Sequence, residues 1–134
     1  MLRTVAYGFM LLAAPVAAAN TGTVTAGKDQ IVASYDGNTL YEDGSYYEFA
    51  GFYNADGTAR GRGWNWLGEE RSTGKWRVTD DGKFCMQWDR KDWGGGKESC
   101  YTVQIQGDKT SLIHIAGGDD DRNFTILKGN PYNL

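Results

Sequence analysis

The chain is poor in proline, histidine, cysteine and long apolar runs, and each shortage excludes something. Its two prolines are Pro15 and Pro131, so none falls within a segment of strand length. His114 is the single histidine, and Cys85 and Cys100 are the two cysteines, with no CxxC spacing between them. That leaves no thiolate and imidazole set of the kind zinc requires. In catalysis His114 would have to be the sole imidazole base, and it sits opposite in parity to Ile113 and Ile115, as for an outward or partly buried strand residue. No serine stands in a GxSxG elbow, and no carboxylate pair is singled out for glycosidase chemistry. The expectation is a protein that is not an enzyme and needs no cofactor. Basic residues are not in excess, with 14 Lys and Arg against 17 Asp and Glu and a net charge of −3. A general nucleic-acid binder carries a basic footprint, so that class is disfavoured.

The one sustained apolar stretch, residues 5–16, falls short of the ~20 residues that a membrane-spanning helix needs. Arg3 precedes it and Ala17-Ala18-Ala19 follows, the three-part pattern of a secretory signal over residues 1–19. Cleavage after Ala19 is expected to leave Asn20 first, with no membrane span and a periplasmic or secreted address. The mature chain is long enough for one domain with a real core and too short for two. In an exported chain two cysteines most simply form one disulfide, Cys85 with Cys100.

What the sequence has in quantity is the punctuation of β-hairpins. Asp-Gly occurs at Asp36-Gly37, Asp43-Gly44, Asp56-Gly57 and Asp81-Gly82, and Gly107-Asp108 adds a further turn. Between the turns lie segments of strand length at 38–42, 45–54, 58–67, 74–79, 83–88, 99–106, 110–116 and 123–127. At period two, Trp76 and Val78 share a face, as do Phe84, Met86 and Trp88, and then Tyr101, Val103 and Ile105. Cys85 and Cys100 take the opposite parity, so antiparallel neighbours would bring the sulfurs together on the more polar face. Residues 20–37 read as a mobile lead-in followed by a short helix over 26–34, capped by Thr25 and stopped at Gly37, with a strand at 30–35 as the competing reading. Residues 38–134 then form a single all-β domain, a small antiparallel barrel or sandwich of about eight strands.

Binding function is expected at an open end of the barrel and in three stretches of sequence. Arg60, Arg62, Trp64 and Trp66 alternate with Gly61, Gly63, Asn65 and Leu67, so an extended chain sets two guanidinium groups and two indoles on one face. Such a stripe stacks on a sugar or aromatic ring or grips an anion. The alternative is that Trp64 and Trp66 are ordinary core residues, with the glycines permitting a bulge. The glycine-rich loop between Trp88 and Cys100 carries Trp93 at a flexible tip that the disulfide ties down. Asp119, Asp121 and Asn123 mimic the opening of a calcium loop, yet Phe124 and Asn130 stand where glycine and glutamate belong, which favours a solvated turn and no metal. Asn123-Phe124-Thr125 matches a glycosylation acceptor inside a predicted strand, a poor place for one.

The stretches GNTLYEDGSYYEFAGFYNADGTARG, TGKWRVTDDGKFCMQW and SCYTVQIQG, in that order, resemble a domain of unknown function found in exported alphaproteobacterial proteins. A GxW strand also opens many lipocalin-like barrels. The resemblance covers residues 38–107 and implies a periplasmic β-fold with one disulfide; it brings no catalytic residues. The function expected is a non-enzymatic binding module for an unknown small ligand. The alternatives are a protein-interaction factor, such as a hydrolase inhibitor or an envelope-assembly protein, and a small hydrolase.

Overall fold

The computed structural model describes residues 24–115 and 121–134, so the leader expected over residues 1–19 lies outside it. Helix α1 (Lys28–Tyr35) precedes eight strands: β1 (Asn38–Asp43), β2 (Glu48–Tyr53), β3 (Thr58–Asn65), β4 (Gly68–Val78), β5 (Lys83–Trp88), β6 (Ser99–Gln106), β7 (Lys109–His114) and β8 (Arg122–Leu127). Each strand pairs antiparallel with its sequence neighbour, and β1 pairs with β8 through Thr39, Leu40 and Tyr41, so the sheet is a closed barrel rather than a sandwich. Closure removes the unpaired edges that an open meander would expose.

Boundaries differ from the pattern reading where polar sequence obeys a hairpin. β4 begins at Gly68, not at residue 74, because GEERST is carried into the sheet by pairing with β3 from Asn65↔Gly68 to Thr58↔Lys75 despite lacking alternation. β2 begins at Glu48, not at residue 45, because the Gly44 N–H donates to the Tyr47 carbonyl 2.9 Å away and closes a turn there. The glycines of Asp56-Gly57 and Asp81-Gly82 have φ of +89° and +86°, a conformation that glycine adopts without steric cost.

The helix plugs one end of the barrel. Its N-cap is Gly27 with no side-chain cap, so the cap expected at Thr25 is not formed; Thr25 bridges to Gln104 instead, and the Ala26 N–H donates to the Val103 carbonyl at 2.7 Å. The lead-in is thus docked from Thr25 onward rather than mobile. Ile31 and Tyr35 are fully buried. The Tyr35 ring meets Phe84 edge-on at 5.2 Å, and its hydroxyl lies 2.6 Å from Thr110 Oγ1. Thr110 spends its proton on the Gln104 carbonyl at 3.0 Å, so Tyr35 is the donor of that pair. Asn38 joins the two ends of the chain: its Nδ2 donates to the Ser34 carbonyl at 2.9 Å and its Oδ1 accepts from the Gly129 N–H at 3.0 Å.

Tyr35→Phe is expected to cost about 1 kcal/mol, the net worth of one buried hydrogen bond, with Thr110 still satisfied by Gln104; urea denaturation reads the difference. Burial pushes the phenols of Tyr35 and Tyr53 well above their ordinary value of 10.0. A raised folded-state value means that their contribution is intact below pH 10.0 and is lost as pH rises beyond it. Phenolate absorbance from these two should therefore appear together with unfolding in an alkaline titration.

Candidate functional site

At the end of the barrel opposite α1, where β1, β3, β5 and β7 finish, a cavity of about 1000 Å³ opens to solvent. Strand alternation supplies its walls: Phe49 from β2, Met86 and Trp88 from β5, Tyr101 from β6, Leu112 from β7, and Arg122 and Phe124 from β8. The same inward parity continues downward as Leu40, Tyr53, Phe84 and Val103, where the interior is filled. An eight-stranded barrel has a bore just wide enough for side chains or one small ligand, and this one does the first at its plugged end and leaves room at the other.

Room for two indoles comes from glycine. The inward residues of β3 are Ala59, Gly61 and Gly63, set by their pairing with Gly74, Ser72 and Glu70. A Cβ on Gly61 would stand 2.7 Å from Trp88 Cη2 and 2.9 Å from Trp93 Cζ3. Trp88, Trp93 and Phe49 meet edge to face, with centroids 5.3 to 5.8 Å apart. Trp93 is therefore no flexible tip. Its loop folds over the mouth, its Nε1 donates to Glu70 Oε2 at 3.3 Å, and Arg90 lies 5.8 Å from its ring while holding Asp92 through two bonds of 2.9 Å. Cys85 and Cys100 stand opposite each other in register and are joined, as their parity predicts, so the loop is clamped at its base.

The charged group inside the cavity was not legible from local pattern. Arg122 lies over the rings of Phe49 and Phe124 at 5.3 and 5.2 Å. Its Nη2 donates to Glu42 Oε1 at 2.5 Å and its Nε to Oε2 at 3.3 Å. Burial pulls the guanidinium pKa down, but the bonds and charge of Glu42 outweigh it and hold the value raised, so Arg122 stays a cation. The Arg122 side chain is 32% exposed and that of Glu42 16%. Alternation along 122–126 signals an inward Arg122, yet its partner comes from β1, a neighbour only because the barrel closes.

The stripe on β3 faces the other way. Arg60, Arg62 and Trp64 lie on the outer wall, where Trp64 packs against Tyr132 and Tyr41 at 5.3 and 6.4 Å beneath the Arg62 guanidinium at 4.4 Å. Trp66 falls in the β3–β4 turn and is 90% exposed, so the structure does not bring all four side chains into one site, and neither tryptophan is a core residue. His114, read as outward or partly buried, is partly buried on the inward face: it pairs with Tyr101 and its ring meets that tyrosine edge-on at 5.3 Å. Its Nδ1 is buried without a partner among the described residues. Asp119 lies outside the described residues. Asp121 accepts only a long bond of 3.4 Å from the His114 N–H, and Asn123 Oδ1 accepts from Ser111 Oγ at 2.7 Å. Among the described residues a grouping of metal-ligand type occurs at Cys85, Glu98 and Cys100, but the sulfurs are bonded to each other and Glu98 is held by Arg77 at 2.7 and 2.9 Å.

A family model described as "Protein of unknown function (DUF995)" matches residues 6–114. No curated protein and no solved structure matches the chain. Among the described residues no helix is long and apolar enough to cross a membrane.

The glycine wall makes a paired prediction. Gly61→Ala should destabilise the barrel by ~1–3 kcal/mol, the usual cost of overpacking, because the indoles must shift. Gly63→Ala, whose added carbon meets nothing nearer than 3.7 Å, should change stability little. Thermal unfolding followed by circular dichroism compares the two.

Proposed function

The chain belongs to this family, described as of unknown function, and we propose that its barrel is a non-enzymatic binding module that takes one small, largely apolar molecule into the open end. The observation that carries the reading is the cavity itself, sealed below by α1 and lined by aromatic rings. Its volume is in the range of pockets that enclose a small ligand. A non-catalytic role is supported by Glu42, a carboxylate in the cavity whose two oxygens are both engaged by Arg122. Action outside the cytoplasm is supported by the Cys85–Cys100 disulfide, which persists in oxidising compartments.

A protein-interaction role has one observation in its favour. Tyr46, Trp66 and Leu67 are 88%, 90% and 73% exposed on two turns at the rim, and Asn65 Nδ2 joins those turns through the Tyr46 carbonyl at 3.4 Å. Exposed apolar side chains gathered in one place mark contact surfaces.

Titration with N-phenyl-1-naphthylamine, a neutral dye that brightens in apolar surroundings, separates the two. The cavity reading expects saturable one-to-one binding that Leu112→Trp weakens by about tenfold or more, equivalent to ~1.4 kcal/mol, and that Trp66→Ala leaves unchanged. Absence of saturable binding to the folded protein would overturn it.

A further inference from the structure

We infer that the ligand is an amphipathic anion, an apolar body carrying one carboxylate, sulfonate or similar oxyanion that seats on the Arg122 guanidinium; this rests on the cavity being the binding site. Three features of the pair point that way. Arg122 commits Nε and Nη2 to Glu42, while Nη1 has no hydrogen-bond partner among the described residues. Both Glu42 oxygens are already engaged, Oε1 also receiving the Tyr47 hydroxyl at 3.4 Å. The guanidinium is also the more exposed member of the pair. The pair thus offers the cavity spare donors and few spare acceptors, and a ligand that brings an acceptor completes it.

The wider electrostatics of the mouth agree. Among the described residues its other carboxylates are mostly matched: Glu69 by Arg62 and by Arg71 at 3.3 Å, and Glu70 and Asp92 by Arg90 at 3.4 and 2.9 Å. Lys97 lines the cavity with no ion pair among the described residues. Asp121 opposes an anion, but it is exposed, so water and salt screen it, whereas Arg122 is half-buried over two rings. An oxyanion leaving water loses its hydration, and Nη1 replaces it with charge-assisted bonds while the apolar body meets Phe49, Trp88 and Phe124. Glu42 fixes the guanidinium before the ligand arrives, so little side-chain freedom is lost on binding.

Two dyes that differ only in charge test this. 8-Anilinonaphthalene-1-sulfonate is N-phenyl-1-naphthylamine with one added sulfonate. The anion should displace the neutral dye one for one. Arg122→Met should weaken the sulfonate by about tenfold more than it changes the neutral dye, the size of a lost charge-assisted contact, so that the ratio of the two affinities and not either one alone is the readout. Because that variant strands the Glu42 carboxylate, the double variant Glu42→Gln with Arg122→Met keeps the test available if the single one fails to fold. Glu42→Gln alone should retain or tighten sulfonate binding, since it frees the cation. If the neutral dye binds and the sulfonate does not, or if Arg122→Met and the double variant leave that ratio unchanged, the charge assignment falls while the binding reading stands. If neither dye binds the folded protein, the binding reading fails and takes this one with it.

Discussion

Pairing of β1 with β8 is the constraint on which the rest depends. It turns an eight-stranded meander into a closed tube, and a closed tube must either fill its bore or leave a void. At one end α1 supplies Ile31 and Tyr35, and the bore is solid. At the other end, among the described residues, Trp93 is the side chain of a connecting loop that turns in, and a cavity persists. The same closure brings Glu42 of β1 to Arg122 of β8, so the charged group of the cavity exists only in the completed barrel.

The glycines of β3 show how the wall is shaped from within. Gly61 and Gly63 lower one side of the bore by a side chain each, and Trp88 and Trp93 occupy the gained space. Large rings that meet edge to face hold each other in place, and the disulfide tethers the loop that carries one of them. The apolar part of the mouth is therefore set by interlocking shapes, whereas the charge within it is held by the pair of Arg122 and Glu42.

Much of the fold was legible because it is written at short range. Asp-Gly turns and period-two alternation placed all eight strands, and the parity of Cys85 and Cys100 placed the sulfurs on one face of neighbouring strands. The site was less legible. In RGRGWN the conspicuous residues are the arginines and the tryptophan, but the glycines are what face inward, so the informative face was the one with nothing on it. Trp93 looked mobile because glycine and charge surround it, and no local signal shows that the loop turns back over Gly61. The face of His114 was left open between outward and partly buried because isoleucines at 113 and 115 suggest the buried face, while the bore is set by Thr110 and Leu112. Arg122 and Glu42 are far apart in the chain, and alternation gives each its face but not its partner.

The Asn38 clasp carries a kinetic consequence. One side chain touches the carbonyl at Ser34 and the backbone at Gly129, so the first turn of the barrel and its last are secured together. Until β8 is in place, β1 is a bare edge on one side. Contacts of such long sequence separation form slowly, because most of the chain must be ordered before they repay the loop entropy. Pairing with β8 covers the backbone edge that β1 would otherwise present, so the same contact that closes the bore also removes a template on which another copy of the chain could pair.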